Sequence, residues 1–484
     1  MKMIPVRWAR YALVALLFLN CPRAASQQTH DSSHAGASPG APPTAEQQQW
    51  ISRAHRLERE GWIYLRIEGS PREMGFQHGY LLAKEINASL KTTRRDWEYH
   101  SGMEWPWLME KGAAMFLPHI DTTLLAELDG IVEGLSAAGV KSSRAEIITY
   151  NGIIDLKNYW WPVVKDSLHI YAPNRSKQSC SSFIVTGSMT PDGGIVLGHN
   201  TMTSYAGVDC NIILDVHPRN GHRILMQASP GWVHSGTDFF VTDAGLVGSE
   251  TTIDEFSGFD EKGIPEFVRF RRATQDASSI DEWCSIMRKG NNGGYANAWL
   301  IGDINTREIA RLELGLKHVG FERTKDGYFV GSNLPENLQI LRLETSLRET
   351  DIRNSDVARR VRWKELMRQY RGKITLESGK AFEGDHFDTY LNQERLGSRS
   401  LCAHWEYETA DPAESPFDPS GTVDAKVVDS KMARQMAFAA RWGSGCGLAF
   451  DAGDFLKKHP QFDWMKDILL SRASHPWTEF RLGE

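Results

Sequence analysis

The stretch that decides the fold is Gln178-Ser179-Cys180-Ser181-Ser182-Phe183-Ile184-Val185. A cysteine stands at the start of an apolar, strand-forming run. The polar residues 171–179 before it include a proline and an asparagine. This pattern predicts that Cys180 lies where an exposed loop enters a β-strand.

A second strand is predicted directly after the first. Residues 195–198 follow the hairpin turn Pro191-Asp192-Gly193-Gly194 and end on His199-Asn200-Thr201. A nucleophile at the start of one strand and polar groups at the end of the next can form a catalytic arrangement. A free cysteine is more often a small buried hydrophobe, so Cys180 alone does not establish catalysis.

The composition indicates a globular protein with a large core. The chain has 484 residues, of which 41% are hydrophobic and 24% charged, and a formal net charge of −6. Basic and acidic residues are mixed along the chain, which argues against a nucleic-acid binder. The 16 tryptophans fit either a large core or an apolar cleft, and the sequence leaves both open.

The N-terminal region is typical of an exported protein. Lys2, Arg7 and Arg10 precede a short apolar run, and small residues follow at 24–26. Residues 1–26 are therefore predicted to be a signal peptide, and residues 27–46, rich in Ser, Gly, Pro and Ala, a flexible linker. The protein is expected to be secreted or periplasmic, and Asn20 before Cys21 argues against a lipoprotein anchor there.

The cysteine count leaves one thiol over. Five cysteines remain after signal removal, namely Cys180, Cys210, Cys284, Cys402 and Cys446. If Cys180 is the free one, two disulfides can form among the others, with the pairing open. The sequence contains no CxxC pair to suggest structural zinc, and no HExxH motif accompanies His199. We therefore expect no metal and no cofactor.

The order of elements predicts the fold class. Helices fill most of residues 47–179, where Ser70 caps a helix that begins at Pro71. Hairpin-type strands and two further groups of helices fill residues 180–484, including a charged helix over Asp351–Tyr370 that we expect to be solvated on one face. This is an α+β pattern in which two antiparallel sheets are flanked by helices. We expect both segments to pack as one domain.

Cys180 has a route to activation that needs no distant base. Cleavage of the Ser179–Cys180 bond would give Cys180 a free α-amine with a pKa of about 7.7–8.0. That amine would lie beside its own thiol and could deprotonate it. Before cleavage the same nitrogen is an amide, so the precursor would be inactive.

Four motifs together resemble one family. In order they are Cys180-Ser181-Ser182, Gly198-His199-Asn200-Thr201, Glu250-Thr251-Thr252-Ile253 and the run from Asn292 to Trp299. They resemble the phospholipase B-like proteins, which are N-terminal-nucleophile hydrolases related to the penicillin acyltransferases. The resemblance implies a four-layer αββα sandwich, autocatalytic cleavage between Ser179 and Cys180, and hydrolysis of an acyl amide or acyl ester through a cysteine thioester.

The resemblance also implies roles for individual residues. Cys180 matches the nucleophile and Asn297 an oxyanion donor. His199 and Asn200 match residues that orient the amine or bind substrate. The pocket matches are Thr251, Thr252 and, more weakly, Asn333.

The hypothesis is an exported, self-processing hydrolase acting on a small acyl amide or on a lipid. A lipid substrate would bring peripheral contact with a membrane, and no nucleic-acid partner is expected. Phospholipase B-type deacylation, amidase and acyltransferase chemistry all remain open. Two rivals remain, a non-catalytic extracytoplasmic ligand-binding protein on the same fold and an uncleaved thiol enzyme with His199 as its base.

Overall fold

The computed structural model describes residues 40–168, 170, 179–206, 211–236, 239–408 and 417–484. The predicted signal peptide and Cys21 lie outside these residues, as do most of the predicted linker, the predicted loop over residues 171–178, and Cys210. The linker prediction extends two residues too far, because a helix begins at Ala45. Thr44 caps that helix through a capping box with Gln47.

Helices fall into an N-terminal group and two later groups. In chain order they are α1 Ala45–Arg53, α2 Pro71–Leu81, α3 Ala83–Ser101, α4 Trp105–Phe116, α5 Thr122–Ala137, α6 Arg144–Asn151, α7 Trp161–Ser167, α8 Glu266–Asp276, α9 Ile280–Arg288, α10 Leu338–Leu343, α11 Ser355–Gln369, α12 Leu376–Phe382, α13 Ser430–Arg434 and α14 Ala452–Lys458. Residues 144–161 do not form one continuous α-helix, because a π-helical turn at Asp155–Trp160 lies between α6 and α7.

Strands dominate the chain after Ser179. In chain order they are β1 His55–Arg59, β2 Trp62–Gly69, β3 Ser179–Thr186, β4 Val196–Ser204, β5 Ile212–Pro218, β6 Ile224–Ala228, β7 Phe239–Thr242, β8 Leu246–Thr252, β9 Asn297–Asp303, β10 Glu308–Leu314, β11 Val319–Thr324, β12 Gly327–Gly331, β13 Phe387–Asp388, β14 Gln393–Glu394, β15 Ser420–Asp429, β16 Ala437–Trp442 and β17 Thr478–Arg481. The predicted hairpin of β3 and β4 forms, with Cys180 opposite Thr201.

Two large sheets are present in the described part of the chain. Sheet A has the strand order β1-β2-β5-β6-β7-β8-β9-β10-β11, and sheet B has the order β12-β3-β4-β15-β16-β17. The pairs are antiparallel except for β2 with β5. That pair is parallel because the chain passes through the N-terminal helices and the β3–β4 hairpin before it returns beside β2.

Three buried clusters define four layers. The outer face of sheet A packs against the helices from α2 to α9, for example through Leu214 and Trp299. The inner faces of the two sheets meet through residues such as Ile184, Leu197 and Ile213. The outer face of sheet B packs on α11 and α12 through Phe183 and other residues. The predicted αββα layering is therefore confirmed, and strand alternation explains which side chains enter each layer.

The N-terminal helices approach one another unusually closely. A Cβ atom at Gly75 or Gly79 of α2 would lie less than 3.0 Å from the carbonyl oxygen of Glu127 or Ile131 on α5. Two glycines four residues apart lie on one face of a helix and leave room there for a second backbone. His78, between them, is buried, and its Nε2 accepts a 2.9 Å hydrogen bond from the Gly231 N–H, which is a structural contact.

The charged helix α11 has a partly exposed face that carries Arg360, Lys364 and Arg368. Two of its other charged residues, Asp356 and Arg359, are buried. Both belong to the side of the helix that also buries Trp363 and Leu366. Among the described residues, no helix combines the length and hydrophobicity needed to cross a lipid bilayer.

Candidate active site

Cys180 is held through both of its backbone groups. It is the second residue of β3 and only 2% exposed. Its N–H donates to Asn333 Oδ1 at 3.0 Å, and its carbonyl oxygen accepts from Arg359 Nη1 at 2.5 Å. The nucleophile candidate is therefore fixed in position before any ligand binds.

Asn333 links the two sheets at this point. While its Oδ1 accepts from Cys180, its Nδ2 donates to the Thr252 carbonyl oxygen at the end of β8, at 2.8 Å. Its backbone has a φ of 71°, a conformation that asparagine adopts more readily than most residues. The sequence ranked Asn333 as the weakest match, but of the residues predicted for the pocket it has the most direct contact with Cys180.

A buried arginine supports the same corner. Arg359 on α11 is fully buried and donates from Nη2 to Asn333 Oδ1 at 2.9 Å and to Asp356 Oδ1 at 2.8 Å. Its Nη1 also reaches Ser181 Oγ at 3.2 Å. The carboxylate of Asp356 compensates the buried charge, so the guanidinium can act as a rigid clamp.

A second buried ion pair lies on the inner face of sheet B. Lys426 on β15 pairs with Asp424 and donates to Thr201 Oγ1 at 2.8 Å. Asp424 Oδ2 also accepts from Gln227 Nε2 at 2.7 Å. Because Thr201 is opposite Cys180 in the strand register, this polar group lies on the same face of the sheet as the thiol.

His199 shares this inner face but has no established partner. Neither ring nitrogen makes a hydrogen bond of good geometry within the described residues, although the ring lies beside the Glu250 backbone. Burial lowers the pKa of His199 far below its usual value, and the Lys426 charge lowers it further. The imidazole is therefore neutral, and the thiol–imidazole hydrogen bond that an uncleaved thiol enzyme needs is not formed.

Asn200 does not lie beside the Cys180 thiol, so the prediction that Asn200 is a catalytic residue is corrected. Its side chain alternates with those of His199 and Thr201 and lies on the outer face of sheet B. There Nδ2 donates to the carbonyl oxygens of Glu383 and Leu401, at 2.8 and 2.9 Å. Asn200 holds loops in place and does not contact the nucleophile.

The Glu250-Thr251-Thr252 motif is buried at the end of β8. Tyr295 donates to Glu250 Oε1 at 2.6 Å, and Thr252 Oγ1 donates to the Tyr295 hydroxyl at 3.0 Å. The Thr251 side chain packs on Gly331, where a Cβ atom would clash with it. Thr251 therefore packs between β8 and β12, whereas Thr252 points to the opposite face of β8, where it contacts Tyr295.

Asn297 is the first residue of β9 and lies opposite Thr252. Its side chain is fully buried, and neither Oδ1 nor Nδ2 has a hydrogen-bond partner in the part of the chain that the structure describes. Its position opposite Thr252 places it on the face that carries Glu250 and Tyr295. A buried amide with both polar atoms unused requires an explanation, and a bound substrate is one.

The thiol is not activated in the uncleaved chain. Burial raises the pKa of the Cys180 thiol well above its usual value, and the Glu250 carboxylate raises it further. The Met202 backbone and the Lys426 charge oppose these effects only partly. An additional base is therefore needed to form the thiolate.

Sequence reasoning missed Arg359, Asp356, Lys426 and Asp424. A signal for the first pair was present, because Asp356, Arg359 and Trp363 recur at the three- and four-residue spacing of one helix face. Lys426 and Asp424 alternate with Ala425 and Val427, which is the pattern of a strand with one polar and one apolar face. No sequence pattern showed that either pair would lie beside Cys180.

The layers and the strand order define a four-layer αββα sandwich, with Cys180 at the start of an inner strand of sheet B. The chain belongs to the phospholipase B family, whose model matches residues 72–339. This match includes Cys180, Asn297 and Asn333 but ends before Arg359 and Lys426.

Individual relatives are distant. The chain is 26% identical to phospholipase B of Crotalus adamanteus over 291 residues, covering 55% of this chain and 49% of that protein. It is 25% identical to phospholipase B-like protein C of Dictyostelium discoideum over 206 residues, covering 38% and 36%. The chain thus spans less than half the length of these two relatives. Penicillin V acylase from Agrobacterium tumefaciens aligns with a TM-score of 0.33 and 13% identity, covering 54% of this chain and 83% of that structure.

Proposed function

We propose that this protein is a self-processing N-terminal-nucleophile hydrolase in which Cys180 attacks an acyl amide or acyl ester. The hydrogen bond from the Cys180 N–H to Asn333 Oδ1, 3.0 Å long, carries the proposal. After cleavage before Cys180, this nitrogen becomes the α-amine. The amide oxygen of Asn333 then holds the amine next to the thiol that it must deprotonate.

Maturation follows from the same atoms. The Cys180 sulfur attacks the carbonyl carbon of Ser179, and the thiol proton passes to the amide nitrogen. The carbon–nitrogen bond then breaks, and the nitrogen leaves as the α-amine of Cys180. Water then hydrolyses the resulting thioester, which leaves a carboxylate on Ser179 and a free thiol on Cys180. The active enzyme consists of both fragments packed as one domain, and the fragment that begins at Cys180 carries the nucleophile.

Turnover repeats this chemistry on a substrate. The neutral α-amine, with a pKa of about 7.7–8.0, takes the thiol proton, and the thiolate attacks the acyl carbonyl. The oxyanion needs a hydrogen-bond donor in a site from which water is excluded, and the family resemblance assigns this role to Asn297, whose amide has no hydrogen-bond partner within the described residues. The ammonium returns its proton to the leaving alcohol or amine, and water releases the acid from the thioester.

A lipid ester is the substrate class that the family name favours. Deacylation of a phospholipid would bring the exported protein into peripheral contact with lipid. An N-acyl amide fits the same chemistry, because the leaving group has already departed when the thioester forms. The thioester is therefore the same for an ester and for an amide with the same acyl chain. The two classes are distinguished by parallel assays on a lysophospholipid and on an N-acyl amide with the same acyl chain.

The first test is intact-mass analysis with N-terminal sequencing of the exported protein. We expect two fragments, the larger beginning at Cys180, and one uncleaved chain from Cys180→Ala. The matched control is Cys284→Ala, a buried cysteine on α9 that should leave processing unchanged. An uncleaved wild-type chain that binds acyl ligands as well as Cys180→Ala does would support the binding-protein alternative.

A further inference from the structure

Four metal-binding side chains meet on the outer side of sheet B, away from the Cys180 thiol. They are His386, Cys402, His404 and Cys446, and one donor atom from each lies within 4.8 Å of all the others. Cys402 and His404 are buried, and the other two are half-buried. We propose that these residues bind one Zn²⁺ ion in a tetrahedral Cys2His2 site.

The sulfur–nitrogen distances fit this geometry. His404 Nε2 lies 3.6 Å from Cys402 Sγ and 3.5 Å from Cys446 Sγ. In a tetrahedral zinc site with Zn–S bonds of about 2.3 Å and Zn–N bonds of about 2.0–2.1 Å, each sulfur–nitrogen edge is about 3.5 Å. One imidazole nitrogen at this distance from two thiols matches two edges that share a corner of the tetrahedron.

The surroundings of the two histidines support a metal. His404 Nδ1 lies 2.9 Å from Glu406 Oε1, a contact that orients the ring and directs Nε2 toward the sulfurs. Tyr205 in turn donates to that carboxylate oxygen at 2.8 Å. A carboxylate behind a histidine is the usual support of a zinc ligand. His386 Nε2 is buried and makes no hydrogen bond of good geometry within the described residues.

The two sulfur and two nitrogen donors determine which metal ion the site favours. Two thiolates and two imidazoles suit zinc and do not suit the oxygen-seeking Mg²⁺ and Ca²⁺ ions. A nucleophilic Cys446–His404–Glu406 triad would explain only three of the residues. It would leave the second thiol and the second imidazole, which converge on the same point, without a role.

We expected no metal from the sequence, because it contains no CxxC pair. The donors come from three separate segments, which only the fold brings together. Asn200 donates to the carbonyl oxygens of Glu383 and Leu401 at the start of two of these segments. His404 pairs with Gly421 of β15, the strand that carries Lys426. The ion would therefore tie these loops to β4 and β15, and its role would be structural.

The test begins with the exported, full-length protein purified without metal-affinity chromatography. Elemental analysis should find about one zinc per chain, as expected for a closed structural site. Cys402→Ser and Cys446→Ser should lose the metal, whereas the matched control Cys284→Ser should keep it. Cleavage at Ser179–Cys180 is scored on the same samples, so failure of the metal proposal can be distinguished from failure of the proposed function.

A second measurement uses only the wild-type protein, in case the variants do not fold. Protein reconstituted with Co²⁺ should show thiolate-to-cobalt charge transfer and the intense visible bands of a tetrahedral ion. Removal of zinc by a chelator should lower the melting temperature, and zinc chloride should restore it. A Cys402–Cys446 disulfide in the exported protein would overturn the proposal. Wild-type protein that contains no zinc and takes up none from zinc chloride would overturn it as well.

Discussion

Asn333 bridges the two sheets at the nucleophile, accepting from the Cys180 N–H at 3.0 Å and donating to the Thr252 carbonyl oxygen at 2.8 Å. The start of β3 on one sheet is thereby held against the end of β8 on the other. In the proposed mature enzyme the same side chain orients the α-amine. Asn333 is then a positioning residue for the base.

Replacement of Asn333 by glycine should impair self-processing and catalysis more than folding. Glycine accepts the φ of 71° without strain, so the change removes the amide and preserves the backbone. We expect processing, and kcat on an acyl substrate, to fall about 10²-fold, the size of effect that a misplaced catalytic group produces. Gel-based processing rates and steady-state kinetics measure both.

The matched control for this variant is Asn392→Gly. Asn392 also has a positive φ, of 53°, but it is exposed in the turn between β13 and β14. It should process and turn over like the wild type. Equal activity of Asn333→Gly and Asn392→Gly would show that Asn333 does not position the amine.

Loss of the buried arginine should destabilise the protein. Arg359→Met leaves the Asp356 carboxylate buried without the charge of Arg359. Removing one partner of a buried ion pair typically lowers the free energy of unfolding by about 3–5 kcal/mol. The double variant Arg359→Met/Asp356→Leu removes both charges and should recover a large part of that loss. Urea unfolding measures the free energy of each variant.

The control for this series is Arg353→Met, at a half-exposed side chain near the start of α11. It should leave the urea midpoint unchanged. If the double variant is no more stable than Arg359→Met, the cost does not come from the unpaired carboxylate. The hydrogen bonds from Arg359 to Cys180 and Asn333 would then account for it.

Local signals predicted the elements that depend on neighbouring residues. The capping box of Ser70 and Glu73 marks the start of α2, and Asp-Gly turns mark the hairpins. The sequence also placed Cys180 correctly at the start of a strand. Its domain boundaries, signal peptide and cleavage site remain predictions.

Contacts between distant segments were not predictable in this way. Arg359 is 179 positions from Cys180 in the chain, and the charged pattern of its helix did not show which of its charges would be buried. The motif that contains His199 and Asn200 led us to place both residues in the site. Strand alternation, however, points their side chains to opposite faces of the sheet. The nearness of His386 to Cys446 likewise depends on loop packing, which leaves no periodic trace in the sequence.

Stability should depend on pH through His78. Burial, reinforced by the Arg271 charge, lowers the pKa of His78 to about 3 in the folded protein. The unfolded chain binds the proton below about pH 6.5. The stabilisation from a neutral His78 is therefore present above pH 6.5 and is lost as the pH falls toward 3.

The variant His78→Gln isolates this effect, because glutamine can still accept from the Gly231 N–H. Relative to the variant, the wild type should lose up to about 1.4 kcal/mol of unfolding free energy per pH unit between about pH 6 and 4. The exposed His55→Gln change is the control for the loss of an imidazole elsewhere in the chain. A wild-type to His78→Gln difference that stays constant across this range would contradict the assignment.

The crossing of α2 and α5 provides the last prediction, because it has no room for a side chain. A Cβ atom at Gly75 would lie less than 3.0 Å from the Glu127 carbonyl oxygen, which belongs to backbone and cannot move independently of its helix. Gly130 on α5 is equally close to the backbone of Arg72 on α2, so both helices depend on the contact.

Gly75→Ala should therefore lower the free energy of unfolding by about 3 kcal/mol or more, at the upper end of overpacking costs, since the helices must separate. In an open helix the same change is favourable by about 1 kcal/mol, because alanine has the higher helix propensity. Gly453→Ala in α14 is the matched control, since its Cβ would make only an ordinary contact with Asp451. The urea midpoints of Gly75→Ala and Gly453→Ala measure this difference in stability. If Gly75→Ala is as stable as Gly453→Ala, the two helices do not pack this closely in solution.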